Sequence, residues 1–309
     1  MEPLPTPPPE CPVVPGLLVG DVLGRGSTST VFHAEETASG RSVALKLLDP
    51  ATSRREDVTA RFRREFEIAR EVASPHVVAV YDQGTLPASP PGAVRLWMTM
   101  ELVAGGSAVA LVPRGDREPD VPLVLMLLAQ VAEALDHAHT LDVVHRDVKP
   151  ANVLLRAGPE VSAALTDFGT AQLLDDVRAL APHGRVAGTL PYAAPEVLQG
   201  LRLSPATDLY SLACTLVELL TGEPPFPRST GFAVTHAHLT ARPPRLQVRR
   251  RWLPPQLDGV IGRALAKDPA ARPTSCSAFA AAVADVLTGV SPEPATPPRG
   301  RFRRRRERR

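Results

Sequence analysis

Eight consecutive residues, His145-Arg-Asp-Val-Lys-Pro-Ala-Asn152, place a carboxylate (Asp147), an ammonium (Lys149) and a carboxamide (Asn152) within six positions. Twenty residues after Asp147 comes Asp167-Phe168-Gly169. Phosphoryl transfer draws on this set of groups. A carboxylate orients an acceptor hydroxyl, a cation steadies the moving phosphoryl group, and an amide with a second carboxylate holds Mg2+. Asp147, with a reference pKa of about 3.9, is ionised at neutral pH unless strongly buried. It would take the hydroxyl proton late, as the new bond forms. Taken singly, Asp147 or Asp167 reads as a helix cap or turn residue; their order and spacing together favour chemistry. His145 reads as a structural hydrogen-bonding group.

A second cluster lies upstream. Leu23-Gly-Arg-Gly-Ser-Thr-Ser-Thr-Val31 sits between two strand-like runs, and Gly24 and Gly26 permit close backbone approach to phosphates. A glycine pair alone is a weak signal, since most such pairs are hairpin turns. Val43-Ala-Leu-Lys46 on the next strand strengthens it, because Lys46 would reach the α- and β-phosphates. A lysine among apolar neighbours needs a partner charge. Phe62, Phe66 and Ala69 mark an apolar stripe at helical spacing, and Glu65 lies within it. A Lys46–Glu65 pair is the favoured reading; a surface pair of Glu65 with an arginine is the alternative. Lysine is otherwise scarce: Lys46, Lys149 and Lys267 are the chain's only ones. A compact ammonium and a planar guanidinium do not interchange freely at a phosphate.

The elements that must position these groups follow from periodicity. Strands are expected over 17–23, 30–35, 42–48 and 95–102, a helix over 54–73, and a Pro/Gly/Ala-rich loop over 86–93. Helices are expected over 123–139, 208–220, 257–266 and 277–287, with a small hairpin of 153–155 and 163–166 around Gly158. The fold class is therefore α+β, with a small β-rich lobe over 17–103 and a larger α-helical lobe over 104–288. Residues 1–16 form a proline-rich leader, and 289–309 a proline-rich linker and arginine tail.

Composition bounds the rest. A hydrophobic share of 44% fits a globular chain. Cys11, Cys214 and Cys276 lack metal-ligand spacing and read as reduced thiols. The start has no signal-peptide pattern, and no uninterrupted apolar run approaches a membrane span of roughly 18 residues. A cytoplasmic protein without a transmembrane sensor is expected. The net charge of +2 conceals a tail of eight arginines and one glutamate over 299–309, so the remainder is acidic. That tail reads first as a solubilising segment, and more sharply as a peripheral anchor to an anionic membrane or nucleic acid.

Together these motifs make the chain resemble the eukaryotic-like (Hanks-type) protein kinases, most of all the bacterial serine/threonine kinases. The resemblance covers roughly 17–288. It rests on Gly24-x-Gly26-x-x-Ser29-x-Val31, Val43-Ala-Leu-Lys46, Glu65, His145-Arg-Asp-x-Lys-Pro-x-Asn152, Asp167-Phe-Gly169, Ala194-Pro-Glu196, Asp208 and Arg272. It implies a bilobal fold and transfer of the γ-phosphoryl group of ATP to Ser/Thr hydroxyls of protein substrates, with autophosphorylation. Asp147 and Lys149 are the implied catalytic pair, and Asn152 and Asp167 the implied ligands of Mg2+ or Mn2+. Leu23, Val31, Ala44 and Leu154 would enclose adenine, Glu101 to Val103 would offer it backbone hydrogen bonds, and Met100 would be the gatekeeper. Glu196–Arg272 and Asp208 would brace the large lobe and the catalytic loop. Relatives often dimerise through the small lobe, but no residue pattern here specifies an N-lobe homodimer.

Two departures stand out. Ser29 replaces a third glycine, and ATP binding is expected to survive the change. Between Thr170 and Thr189 there is no Ser, Thr or Tyr, although Arg146 is the residue that usually receives an activation-loop phosphate in this family. Thr189 is expected to bond near Lys149 and Asp147. Asp175, Asp176 or another acidic group is expected to satisfy Arg146, with activity independent of loop phosphorylation. A non-catalytic scaffold and a small-molecule kinase are the competing classes. The first is disfavoured by the presence of Lys46, Asp147 and Asp167. The second is disfavoured by Lys149-Pro150, Ala194-Pro-Glu196 and Gly188-Thr189.

Overall fold

A computed structural model of the chain describes residues 12–26, 28–49, 56–88, 93–158, 160–168, 172–173 and 189–292. The start of the leader with Cys11, residues 169–171, the segment 174–188 with Asp175 and Asp176, and the basic segment 293–309 lie outside the described residues.

The small lobe is a five-stranded antiparallel sheet with one helix. Strands β1 (Leu17–Arg25), β2 (Ser29–Glu36) and β3 (Ser42–Leu48) are followed by helix α1 (Glu56–Glu71), then β4 (Val80–Ala88) and β5 (Ala93–Glu101). The strand order is β1-β2-β3-β5-β4. Successive side chains of a strand point to opposite faces. On β3, Val43, Leu45 and Leu47 join a core with Val14, Phe32, Ala34 and Leu86. Ala44, Lys46 and Leu48 therefore share the other face, where Leu48 packs with Phe62 and Phe66 of α1. Period two thus turns Lys46 towards the helix that carries Glu65.

The loop expected over 86–93 is corrected at its ends: β4 runs through Ala88 and β5 begins at Ala93, with Pro87 paired to Val94, while 89–92 lie outside the described residues. Proline lacks an amide donor and is confined to sheet edges. β4 is an edge strand, so the composition that suggested a loop is tolerated there.

The large lobe is built around α2 (Val121–Thr140) and α4 (Pro205–Thr221). Between them come the two-residue strand β6 (Val143–Val144), the hairpin β7 (Val153–Arg156) and β8 (Ser162–Leu165), the short strand β9 (Gln172–Leu173) and α3 (Pro195–Leu198). Helices α5 (Gly231–Thr240), α6 (Pro255–Ala264) and α7 (Cys276–Leu287) complete it. On α2, Val124, Leu127, Leu128, Val131, Leu135 and Ala138 are buried, the stripe expected of a helix with one face in a core. Among the described residues, α2 is the one helix long and apolar enough to cross a membrane, and half of that stretch is buried inside the molecule. It packs against α4, α7 and β8. Asp136 of α2 also caps α7, accepting the amides of Cys276 (2.8 Å) and Ser277 (2.9 Å).

Helix α4 is buried almost all round. Ser204 and Thr207 form a capping box at its start, and Gly222 ends it with φ +89°. A Cβ at Gly222 would lie 2.5 Å from the Pro113 carbonyl oxygen, so only glycine fits that turn. Helix α5 has no counterpart among the expected elements. Phe232, 84% exposed, points away from the face formed by Val234, Ala237 and His238 and obscures its period.

Candidate functional site

The cleft between the lobes brings together groups from β3, α1 and the end of β8. The Lys46 ammonium bonds Glu65 Oε1 and lies 2.9 Å from Asp167 Oδ1. Two carboxylates thus share one cation. Burial raises the Glu65 carboxyl to about 7, although Lys46 pulls the other way. Burial opposes the Lys46 charge, but Asp167 and Glu65 outweigh it and raise its pKa. Lys46 holds Asp167 low, at about 2.

This fixes a pH dependence. Glu65 gains a proton as pH falls through about 7, and Lys46 then loses one of its two anchors. The kcat/KM for ATP, the substrate that the resemblance implies, is expected to decline below that value, with no comparable limb in Glu65→Gln. Asp167 stays ionised throughout. The raised Glu65 carboxyl contributes stability that is present below its unfolded pKa and lost as pH rises through about 7. The activity loss therefore occurs without a fall in stability from this group. Initial rates and thermal midpoints from pH 5 to 8 would check both; parallel losses would contradict the assignment.

The loop from His145 to Asn152 is held from below by Asp208 of α4. Its fully buried carboxylate accepts the amides of His145 (2.8 Å) and Arg146 (2.7 Å), and the His139 ring nitrogen Nε2 lies 2.8 Å away. Burial disfavours the Asp208 charge, yet these bonds hold its pKa below the ordinary value. The loop needs this anchor because Arg146 has φ +72°; Asp167, outside the loop, likewise has φ +70°. Non-glycine residues in this left-handed region cost of order 1–3 kcal/mol and persist only where the surroundings over-determine them.

Asp147 is gripped by three side chains. Lys149 Nζ lies 2.6 Å from Oδ2, Asn152 Nδ2 donates to the same oxygen at 3.0 Å, and Thr189 Oγ1 donates to Oδ1 at 2.7 Å. Lys149 also reaches Thr189 Oγ1 at 3.2 Å. The Asn152 amide nitrogen further donates to the Asp147 carbonyl (2.8 Å), so its carbonyl oxygen is the ligand atom it can offer a metal. With the Asp167 carboxylate this makes an all-oxygen donor pair, which suits a hard divalent ion. His145 is fully buried, its Nε2 is 3.0 Å from the Thr166 carbonyl, and its ring packs edge-on to Phe168. It braces the segment leading into Asp167.

The apolar positions are assembled by main-chain pairing. Gly105 N–H donates to the Leu155 carbonyl (3.0 Å) and Leu155 N–H to the Gly106 carbonyl (2.9 Å). A Cβ at Gly105 would sit 2.2 Å from the Leu155 oxygen, so this pairing requires glycine. It brings Leu154 of β7 next to the chain that follows Glu101 and Val103. Ala44 is buried, Val31, Met100, Val103 and Leu154 are half-buried, and Leu23 is exposed at the rim. Gly24 pairs with Val31. The Gly26 amide donates to the Ser29 carbonyl at 2.8 Å, so here it closes the hairpin.

Farther out, Arg272 makes a two-pronged bond to Glu196, at 2.7 and 2.8 Å, and Thr207 donates to the same carboxylate. Both members are almost fully buried. Residues that the sequence reading passed over are His139, Thr207 and Arg156. Arg156 bonds the Glu101 carboxylate. His139 could have been sought as a polar residue on the buried stripe of α2; Arg156 carries no such signal.

Comparison with known proteins gives a consistent set. The family model described as Protein kinase domain matches residues 17–283. Serine/threonine-protein kinase PknJ of Mycobacterium tuberculosis is 40% identical over 290 residues, covering 93% of this chain and 48% of the relative. Serine/threonine-protein kinase PknF of the same organism is 39% identical, covering 89% of this chain and 57% of the relative. The chain thus spans about half the length of these curated relatives. The crystal structure of the Mycobacterium tuberculosis PknI kinase domain superposes with a TM-score of 0.68 at 33% identity, covering 89% of this chain and 98% of that one.

Proposed function

The chain belongs to the protein kinase family, and from that premise we propose that it transfers the γ-phosphoryl group of ATP to serine and threonine hydroxyls of proteins, its own included. The observation that carries this reading is the Asp147 carboxylate held by Lys149, Asn152 and Thr189, beside the Lys46–Asp167 contact. Asp147 orients the acceptor hydroxyl and takes its proton as the oxygen bonds to phosphorus and the bond to ADP breaks. Lys149 and Lys46 stabilise charge on the phosphoryl oxygens in a partly desolvated cleft. Asn152 and Asp167 would hold Mg2+, which supplies charge neutralisation at the phosphates when bound. Adenine would lie between Leu23, Val31 and Ala44 above and Leu154 below, against the backbone of Glu101 and Val103.

Activity without an activation-loop phosphate belongs to the same proposal. Thr189 already donates its hydroxyl to Asp147, and a phosphate there would set a dianion against that carboxylate. The test is incubation with γ-labelled ATP, Mg2+ and a generic Ser/Thr substrate, followed by mapping of phosphate on substrate and enzyme. Incorporation into substrate is expected with Thr170 and Thr189 unmodified. No incorporation would sink the catalytic reading. Stoichiometric phosphate at either threonine, with activity lost on its removal, would sink the independence.

A further inference from the structure

We propose that Arg156 is a positioning residue for the nucleotide: its guanidinium locks the hinge at Glu101 to the connector that leaves α1. Arg156 ends β7 on the large lobe. Its Nε bonds Glu101 Oε1, and its Nη2 donates to Glu101 Oε2 at 2.7 Å. The same group donates to the carbonyls of Pro75 (2.6 Å) and Val77 (3.1 Å), and more weakly to that of Ala163 (3.4 Å). A single planar fork thus joins three separate pieces of chain. The hydrogen bonds from Arg156 also hold the Glu101 carboxyl below the usual carboxylate range.

What those pieces do gives the lock its meaning. Glu101 ends β5 and opens the stretch that would receive adenine. Pro75 and Val77 lie between α1, which carries Glu65, and β4. That connector is itself fixed to β8: Val78 N–H donates to the Leu165 carbonyl (2.9 Å), and Leu165 N–H to the His76 carbonyl (2.8 Å). Leu165 is two residues before Asp167. The Glu101 amide donates to the Ala79 carbonyl (2.8 Å), and the Ala79 amide returns to Glu101 Oε2 (3.4 Å). The hinge cannot pivot without breaking bonds to Arg156. Leu154 and Arg156 lie two apart on β7 and so share a face. The adenine floor and the lock are therefore one strand surface.

This placement separates nucleotide seating from phosphoryl transfer. Arg156 bonds none of Asp147, Lys149, Asn152 or Thr189. Its loss should weaken ATP binding while leaving the transfer step alone. Lysine should not rescue it, because one ammonium cannot span both carboxylate oxygens and two carbonyls.

The inference rests on the kinase reading, so its test reads binding and turnover separately. Dissociation constants for Mg-ATP, by calorimetry, and steady-state kinetics would be measured for the wild type, Arg156→Ala, Arg156→Lys, Glu101→Ala and Arg156→Ala/Glu101→Ala. Arg156→Ala and Arg156→Lys are expected to raise both Kd and KM for ATP by about ten- to hundredfold, with kcat within about twofold. Adding Glu101→Ala is expected to cost little more, since its partner is already gone. Arg156→Lys keeps the charge and stem, which guards against a result due only to misfolding. An unchanged Kd in the lysine variant, or kcat falling in step with the folded fraction while KM stays fixed, would overturn the proposal. Additive losses in the double variant would do the same. If the wild type binds Mg-ATP but transfers no phosphate, the functional reading fails while the Kd series still judges Arg156.

Discussion

Asp147→Asn is expected to lower phosphoryl transfer by about 10²- to 10⁴-fold, the range for loss of a positioned acid–base group, with ATP binding retained. The substitution is nearly isosteric, so the apolar cleft and the Lys46–Asp167 contact stay in place. What changes is the pattern of donors. Lys149, Asn152 and Thr189 all donate to the Asp147 carboxylate. A carboxamide offers one accepting oxygen and turns an N–H donor against the remaining partners. The acceptor hydroxyl loses both its orienting group and the destination of its proton. Single-turnover rates at saturating ATP, with Kd measured alongside, would separate this from a binding defect. A variant that turns over at the wild-type rate would refute the role of Asp147.

The largest effect on stability is expected at Arg272. Arg272→Ala leaves the Glu196 carboxylate buried with Thr207 as its remaining side-chain partner. Breaking such a pair from one side costs about 3–5 kcal/mol, against a total stability of about 5–15 kcal/mol for a domain. Arg272 also donates to the carbonyls of Ala206 (2.8 Å) and Ala266 (2.9 Å), and both bonds would be lost together. Replacing both members, as Arg272→Met with Glu196→Leu, should recover much of the loss, because the stranded charge is gone. Denaturant midpoints for the single and double variants give the comparison. A single variant within about 1 kcal/mol of wild type would show that the pair is not the brace that its burial indicates.

The sequence disclosed the site more readily than its supports, and the reason is physical. Asp147, Lys149, Asn152 and Asp167 act through side-chain chemistry at short separations, which residue type and spacing reveal. Glu65 was legible because a carboxylate on an apolar stripe demands a partner. Asp208 and the Glu196–Arg272 pair were found through resemblance, since their partners are backbone amides or lie 76 residues away. Arg156 was missed for a related cause: two of its main partners are carbonyl oxygens, which every residue possesses, and the third is 55 residues distant. Composition misled at 86–88, where an edge strand accepts the proline and small residues of a loop. It misled again at α5, where an outward-facing phenylalanine broke the periodic signal.

The left-handed backbone at Arg146 and Asp167 has an evolutionary consequence. Glycine at either position would relax the main chain, yet at 167 it would also delete the carboxylate that meets Lys46. Selection on backbone strain alone would therefore favour glycine at both, and at 167 it would run against the chemistry. An aspartate kept at 167 therefore marks selection on the site over selection on the backbone.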